Sequence, residues 1–349
     1  MTVVVPCYNY GHFLPRCVQA ILEQPGVESE VLIVDDASTD GSDLVADRIA
    51  AEQNERVRVI HHARNRGHIA TYNDGLAEAT GDYVVLLSAD DLLTPGALAR
   101  ATALMEAHPS VGFVYGHPVR FGETVPASGR TEATHWTIWP GEDWITARFS
   151  RGRNCILSPE VVMRTRVQQL IGGYNPELPH TGDLEMWVRA ARVAGVGFVG
   201  GADQAWYREH TANMHKTAFE AGELSGIAVD LRQRARTFEL LAANVIDDRE
   251  DAELLLTAAR RAIAIEALRL SVRPFYWGIA DRWPVDELAA LALEVYPDAR
   301  CLPLWAALSL HRRIGSRGRR RRDPVSIGHE LGVRARLSAR EWRWARVGI

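Results

Sequence analysis

The chain has 349 residues, a formal net charge of −4, 47% hydrophobic residues and 24% charged residues. This composition is typical of a globular protein with a sizeable core, and it excludes an intrinsically disordered chain. No apolar run approaches the ~18 residues that span a bilayer, and the four cysteines lack CxxC spacing, which excludes a disulfide framework and a zinc ribbon.

The first half of the chain alternates short β-branched runs with helical patterns. Strands are predicted at 2–5, 31–34, 57–60, 83–87 and 111–115, and helices at 12–24, 40–53, 68–79 and 95–107. Strands that alternate with helices indicate an α/β fold with a mostly parallel sheet and helices on both faces.

The pattern loosens between residues 117 and 180, where a strand near 159–163 is predicted. Three tryptophans in this stretch, Trp136, Trp139 and Trp144, would either stack on an acceptor sugar or pack against the sheet. A helix at 183–194 and a strand at 196–199 follow, and then helices alone, at 218–246, 250–272 and 285–296. We therefore expect two domains, an α/β domain over 1–216 and a mainly helical C-terminal region over 217–349.

The charge is distributed unevenly. From His311 to the end, 12 arginines face three acids, a local net charge of +9, so the other 310 residues carry −13. The cluster from Arg317 to Arg322 follows an apolar segment, which would either lie on an anionic membrane face or belong to a solvated tail. No interleaved recognition motif accompanies the arginines, so we expect no nucleic-acid partner. The first residues lack a basic leader, and we expect a cytoplasmic protein, peripheral on the inner membrane face under the first interpretation.

Polar residues follow three strands of the predicted sheet. They are Pro6-Cys7-Tyr8-Asn9 after the first strand, Asp35 to Asp40 after the second, and Ser88-Ala89-Asp90-Asp91 after the fourth. Each alone is compatible with a polar turn that closes a strand. Ligands of open α/β sheets bind at the carboxyl ends of strands, and adjacent aspartates indicate a nearby cation or hydrogen-bond network. Together the three ends predict a polar pocket with one aromatic side chain.

A set of short motifs runs in order along residues 1–215: Pro6-x-Tyr8-Asn9, Val34-Asp35-Asp36-x-Ser38-x-Asp40-Gly41, Asn65-x-Gly67, Gly81-Asp82-Tyr83, Ala89-Asp90-Asp91, Gly172-Gly173-Tyr174, Gly182 to Arg189 and Tyr207-Arg208-x-His210. In this order the set resembles the family-2 inverting glycosyltransferases with the GT-A fold. The resemblance implies a Rossmann-like, mixed and mostly parallel sheet with helices on both faces, which the helix patterns after residue 216 extend by a C-terminal helical appendage. It also implies transfer of a sugar from a nucleotide diphosphate sugar, with a UDP-sugar favoured. The acceptor hydroxyl would belong to a cell-envelope glycan, a lipid-linked sugar or a secondary metabolite.

The resemblance also implies a nucleotide site. Tyr8 would pack beside the base, and Asp35 would accept a hydrogen bond from a base N–H. A divalent cation, Mg²⁺ or Mn²⁺, would be held on the diphosphate by Asp90, Asp91 and His210, although a lone loop histidine is equally compatible with a surface role. The metal would neutralise the charge of the departing diphosphate. The full nucleotide-binding set is Pro6, Tyr8, Asp35, Asp36, Arg66, Ser88, Ala89, Asp90 and Arg208.

Asp183 stands where the family has its catalytic base. Direct displacement at the anomeric carbon needs one carboxylate to take the proton of the acceptor hydroxyl. Glu185 would orient the acceptor or Asp183. The alternative for Asp183 is the N-cap of the helix that follows, and the two roles are compatible, since a helix N-terminus lowers a carboxyl pKa.

Two positions depart from the family pattern. Ser88 and Gly182 stand where the family commonly has acids, which puts metal affinity and donor preference in doubt. They are also the argument for an alternative, a nucleotide-sugar-binding or scaffold protein with weakened catalysis. A sugar nucleotidyltransferase is a further alternative, but the segment from Pro6 to Gly11 lacks the glycine-rich, basic phosphate loop of such enzymes.

Overall fold

The computed structural model describes residues 1–126, 129–211, 213, 225–314 and 342–349. It divides into two compact units. The α/β unit comprises Met1–Ile145, Cys155–His210 and Ala345–Ile349, and the helical unit comprises Thr146–Asn154 and Thr211–Trp344. The predicted arginine cluster, Arg317 to Arg322, lies outside the described residues.

One mixed sheet forms the centre of the α/β unit. In the described residues it has nine strands: β1 (Thr2–Cys7), β2 (Glu30–Asp35), β3 (Val57–His61), β4 (Tyr83–Leu86), β5 (Leu92–Leu93), β6 (Val111–Phe121), β7 (His135–Trp139), β8 (Val162–Arg164) and β9 (Gly195–Arg208). Their order is β3-β2-β1-β4-β8-β6-β9-β5, and β7 pairs with β9. The ladders from β3 to β4 and between β6 and β9 are parallel, whereas β8, β5 and β7 pair antiparallel to their neighbours. The predicted mixed α/β fold is confirmed.

Helices connect and follow these strands. Their bounds are α1 (Leu14–Leu22), α2 (Ser42–Gln53), α3 (His68–Ala77), α4 (Ala97–Ala107), α5 (Gly141–Arg151), α6 (Thr165–Ile171), α7 (Gly182–Val193), α8 (Ser225–Asn244), α9 (Ala252–Trp277), α10 (Val285–Val295) and α11 (Pro303–Ile314). In α1 the buried residues recur at helical spacing, Leu14, Cys17, Val18 and Ile21, so one face packs into the core. No helix of the described part is long and apolar enough to cross a membrane.

The central strands carry the core. Val3, Val4 and Val5 of β1 are all fully buried, because both faces of a central parallel strand are covered. Each side chain of this size contributes about 1.5–3 kcal/mol when fully buried. The strand ends that carry polar residues are therefore fixed to a rigid framework.

The tryptophans do not form a stacking platform. Trp144 is fully buried, and its Nε1 donates to the hydroxyl of Tyr115 at 3.3 Å. Trp139 Nε1 donates to the carbonyl of Val347 at 3.0 Å, so it packs on the C-terminal residues of the chain. Trp136 is 41% exposed. The packing interpretation thus holds for Trp144, whose partner Tyr115 belongs to β6 of the sheet.

Candidate active site

The three polar strand ends lie side by side. β2, β1 and β4 are consecutive in the sheet and parallel, so their carboxyl ends meet at one edge. Pro6 belongs to β1 itself, opposite Val34 of β2. The pocket predicted from the sequence therefore has the required framework.

The loops after β1 and β2 hold each other. Asn9 has a left-handed backbone, φ 58°, which asparagine tolerates better than most residues. Its side-chain Oδ1 accepts from the backbone N–H of Thr39 at 2.8 Å, and its own N–H donates to the hydroxyl of Ser38 at 2.9 Å. Next to these two hydrogen bonds, Tyr8 is 45% exposed, which leaves its ring accessible to a nucleotide base.

Asp35 is a buried carboxylate with one unused oxygen. The residue is 2% exposed, and its Oδ2 accepts from the backbone N–H of Ser38 at 3.2 Å. Its Oδ1 has no hydrogen-bond partner among the residues that the structure describes. Because buried acceptors normally have partners, Asp35 is suited to receive a donor from a ligand.

The neighbouring Asp36 has a different environment. Its Oδ1 contacts His62 Nδ1 and accepts from the N–H of Arg66, both at 2.7 Å, and its Oδ2 accepts from the N–H of Gly67 at 2.9 Å. Both oxygens thus anchor the loop before α3. A direct nucleotide contact for Asp36 stays a prediction, and in the structure its carboxylate positions the backbone of Arg66. The guanidinium of Arg66 pairs with Asp74 and is about half exposed.

Asp90 and Asp91, which follow β4, form a second part of the site together with Arg208 and His210, and we call this group the aspartate corner. Asp91 accepts from the N–H of Arg208 at 2.8 Å, and His210 Nε2 lies 3.0 Å from Asp90 Oδ2. Burial, and then the charge of Asp90, raise the pKa of Asp91 well above its usual value. Ala89 is buried behind this pair and Ser88 is half-buried. The two aspartates are therefore held close at an electrostatic cost that a cation would relieve.

Arg208 is built into this corner. Its guanidinium lies over the rings of Phe13 and Phe121, at 4.7 and 4.4 Å, and its Nε donates to the carbonyl of Asp90 at 2.8 Å. It therefore fixes the backbone of the two aspartates. The sequence predicted Arg208 as a nucleotide-binding residue, which stays a prediction beside the supporting role that the structure shows.

The metal-binding set is incomplete by itself. Across the described ranges, no three His, Cys, Asp or Glu side chains converge to hold a metal ion. One carboxylate and one imidazole, Asp90 and His210, are in contact, and Mg²⁺ is often held by one or two carboxylates with substrate phosphates and waters. The donor set therefore fits a metal whose remaining ligands come from a diphosphate.

Asp183 lies in the first turn of α7. The N-cap is Thr181 and the helix begins at Gly182, so the alternative of an Asp183 N-cap is wrong. Its Oδ2 accepts from the hydroxyl of Ser158 at 2.5 Å. Burial raises the pKa of Asp183, against the lowering by hydrogen bonds from Ser158 and Tyr174. The helix N-terminus was expected to lower this pKa, and desolvation outweighs it.

Glu185 does not face Asp183. Its two oxygens accept from Nε and Nη2 of Arg189, at 2.7 and 2.8 Å, and Arg189 also donates to the carbonyl of Gly173 at 2.7 Å. This bidentate pair joins α7 to the segment after α6. The catalytic role of Glu185 stays a prediction, and in the structure both of its oxygens make framework contacts with Arg189.

Tyr72 contacts both Tyr174 and Ser88, and no motif of the sequence points to it. Burial, and then the charges of Asp183, Asp90 and Asp91, raise the pKa of Tyr72. A hydrogen bond with the side chain of Ser88 lowers it. Its ring packs edge-on to Tyr174 at 5.5 Å. Tyr72 lies in α3, and a helix pattern in the sequence does not indicate which of its side chains face a pocket.

Gly182 also has a structural reason. A Cβ at this position would lie 3.1 Å from the ring of Tyr174, so a larger residue would require that ring to move. An acidic side chain at position 182 would therefore displace the ring of Tyr174, and Tyr174 hydrogen-bonds Asp183. Two hydroxyl groups, rather than a neighbouring acid, surround the carboxylate.

Comparison with known proteins identifies the family. Residues 2–170 match the sequence model of Glycosyl transferase family 2. Residues 2–170 are therefore a family-2 glycosyltransferase segment. An uncharacterized glycosyltransferase of Nostoc sp. is 26% identical over 230 residues, which cover 63% of this chain and 68% of that protein. The glycosyltransferase GlyG of Streptococcus pneumoniae is 39% identical over 93 residues, but this covers only 27% of the chain and 31% of GlyG.

Solved structures confirm that this glycosyltransferase has the GT-A fold. S. aureus TarS 1–349 in complex with UDP-GlcNAc superposes with a TM-score of 0.52 at 18% identity, covering 83% of this chain and 90% of the TarS 1–349 chain. The mannosyltransferase PcManGT from Pyrobaculum calidifontis, in complex with GDP-Man and Mn²⁺, gives 0.52 at 21% identity, covering 90% and 79%. At these identities the likeness concerns the fold.

Proposed function

We propose that this glycosyltransferase moves one sugar from a nucleotide diphosphate sugar to a hydroxyl group of a larger acceptor, with inversion at the anomeric carbon. The acceptor oxygen forms a bond to that carbon while the bond to the diphosphate breaks. The electron pair leaves with the diphosphate, and the acceptor proton passes to Asp183. The observation that carries this proposal is the Asp183 carboxylate, which accepts from the hydroxyl of Ser158 at 2.5 Å in the first turn of α7. Tyr174 hydrogen-bonds Asp183 and packs on Tyr72, and Tyr72 hydrogen-bonds Ser88, two residues before Asp90.

The donor that the pocket favours is a UDP-sugar. Asp35 has one oxygen engaged by Ser38 and one without a partner. Uracil offers one N–H on its pairing edge, whereas guanine offers two adjacent donors that a carboxylate binds best with both oxygens. The single available oxygen therefore suits uracil, with Tyr8 packed on the ring.

A divalent cation is part of the proposal. Asp90 and His210, supported by Asp91, would hold Mg²⁺ or Mn²⁺ on the diphosphate. When bound, such an ion neutralises charge that develops on the leaving diphosphate. Ser88 contributes no charge here, and its contact with Tyr72 supports a role in placing the sugar or ribose rather than the metal.

The alternatives make different predictions. A nucleotide-sugar-binding or scaffold protein would bind the donor without turnover. A sugar nucleotidyltransferase would consume a nucleoside triphosphate and a sugar 1-phosphate, for which the loop from Pro6 to Gly11 offers no lysine. The acceptor class stays a proposal: a cell-envelope glycan, a lipid-linked sugar or a small molecule.

A binding screen tests the donor and the metal together. We expect UDP and UDP-sugars with Mn²⁺ to raise the melting temperature, since a ligand at 100 times its Kd stabilises by about 2.7 kcal/mol. GDP should shift it less, and EDTA should remove most of the gain. Slow release of UDP from one UDP-sugar would separate an enzyme from a scaffold. Equal shifts with and without metal would contradict the roles of Asp90 and His210.

A further inference from the structure

A short loop before β8 reaches the carboxylate of Asp183. The hydroxyl of Ser158 donates to Asp183 Oδ2 at 2.5 Å. Ser158 has φ 90°, a left-handed conformation that costs energy for a residue with a side chain. Backbone strain of this kind persists only where the surrounding structure imposes it, and it is common at functional sites.

The loop is held by its own hydrogen bonds. The side-chain Oε1 of Glu160 accepts from the backbone N–H of Leu157 at 2.8 Å, and the N–H of Val161 donates to the carbonyl of Ser158 at 3.0 Å. Glu160 is 1% exposed, so this bond is shielded from water. These contacts lock the turn in the conformation that presents the Ser158 hydroxyl.

We propose that Ser158 is a positioning residue for the catalytic base, fixing the rotation of the Asp183 carboxylate and strengthening its ionised form. The inference rests on the proposed function, because it takes Asp183 as the base. A charge-assisted hydrogen bond of 2.5 Å is directional, so one carboxylate oxygen is fixed in place. Glu160 acts through the backbone of the loop, where its side chain accepts from the N–H of Leu157.

Several groups face Asp183 besides Ser158. Tyr174 donates a hydrogen bond, His68 contributes a favourable charge when protonated, and Tyr72 lies within the field of the carboxylate. Burial raises the pKa of Glu160 to about 8, so this acid is mainly neutral at pH 7 and adds little repulsion. Without the Ser158 hydroxyl, the pKa of Asp183 rises, and a higher pH is needed to ionise the base.

Two substitutions at Ser158 test the role. Ser158→Ala removes the hydroxyl and keeps the strain, whereas Ser158→Gly removes the hydroxyl and relieves the strain. For both we expect kcat of sugar transfer to fall about 10- to 100-fold, the range for a lost hydrogen bond to a charged group, with UDP-sugar KM within twofold. The acid limb of the kcat profile should move to higher pH. Ser158→Gly should melt no lower than the wild type.

Glu160→Gln is the matched control. The amide oxygen can still accept from Leu157, and the neutral side chain resembles the acid at pH 7, so we expect wild-type kcat and an unmoved acid limb. A folded Ser158→Gly protein with wild-type kcat and pH profile would overturn the inference. If instead Asp183→Asn transferred sugar at the wild-type rate, the proposed function itself would fail. The two failures are therefore distinguishable.

Discussion

Adjacent carboxylates in this molecule have different tasks, as Asp35 and Asp36 show at the end of β2. Both are almost fully buried. Both oxygens of Asp36 are hydrogen-bonded, to His62 and to the N–H groups of Arg66 and Gly67. Asp35, in contrast, has one oxygen without a partner in the described residues. The sequence assigns both to the nucleotide, because Asp-Asp carries no information on which side chain faces the pocket. Geometry separates a ligand candidate from a framework residue.

This difference predicts opposite effects of two neighbouring substitutions. Asp35→Asn should weaken UDP binding about 10- to 100-fold, since a hydrogen bond to a charged group contributes roughly 1.5–3 kcal/mol, and should change the free energy of unfolding little. Asp36→Asn should lower the free energy of unfolding by about 1–3 kcal/mol, because an amide donor would meet backbone donors. Calorimetric titration and denaturant unfolding measure the two quantities. Unchanged UDP affinity in Asp35→Asn would contradict its role as base acceptor.

At the scale of elements, α3 is fixed to the sheet by a close approach. It carries Tyr72 into the site, and a Cβ on Gly75 would lie 2.3 Å from Val4 Cγ1 and 3.1 Å from Val34 Cγ2. No side chain fits between the helix and β1. The position of Tyr72 relative to the strand ends therefore depends on a residue without a side chain.

Gly75→Ala should destabilise the protein. Overpacking costs about 1–3 kcal/mol, which exceeds the gain of roughly 1 kcal/mol when alanine replaces glycine inside a helix. Gly122→Ala is the control, since a Cβ there meets no atom within 4 Å. Its free energy of unfolding should stay within about 0.5 kcal/mol of the wild type. A Gly75→Ala protein as stable as the control in urea unfolding would contradict the close packing of α3.

At the scale of the whole molecule, the strands with strong β-branched runs and most helices were predictable from periodicity. The two-residue strand β5 is too short for any pattern, and β7, α5 and α6 lie in the stretch of 117–180 whose glycines and tryptophans obscured the period. The family and the fold followed from ordered motifs. Site residues set by long-range contact, such as Ser158 against Asp183, carry no local signal, because 25 residues and a strand separate them.

The same limit applies to Glu185. Glu185 follows Asp183 at a spacing that suggests cooperation, yet on a helix residues two apart point to different sides. Its partner is Arg189, four residues on, as helical geometry favours. Asp90, Asp91 and His210 remain a proposed metal set, since the diphosphate would complete it.

The central claim is that Asp183 is the base of sugar transfer, and the Asp183→Asn protein tests it most directly. With the UDP-sugar donor identified in the binding screen, we expect transfer to fall at least about 10²- to 10⁴-fold, the contribution of general base catalysis. Donor affinity should stay within threefold, because the base acts on the acceptor hydroxyl and not on the nucleotide. Glu185→Gln, changed in the same helical turn, should retain transfer within about tenfold once its stability is confirmed. Full transfer by Asp183→Asn would contradict the account.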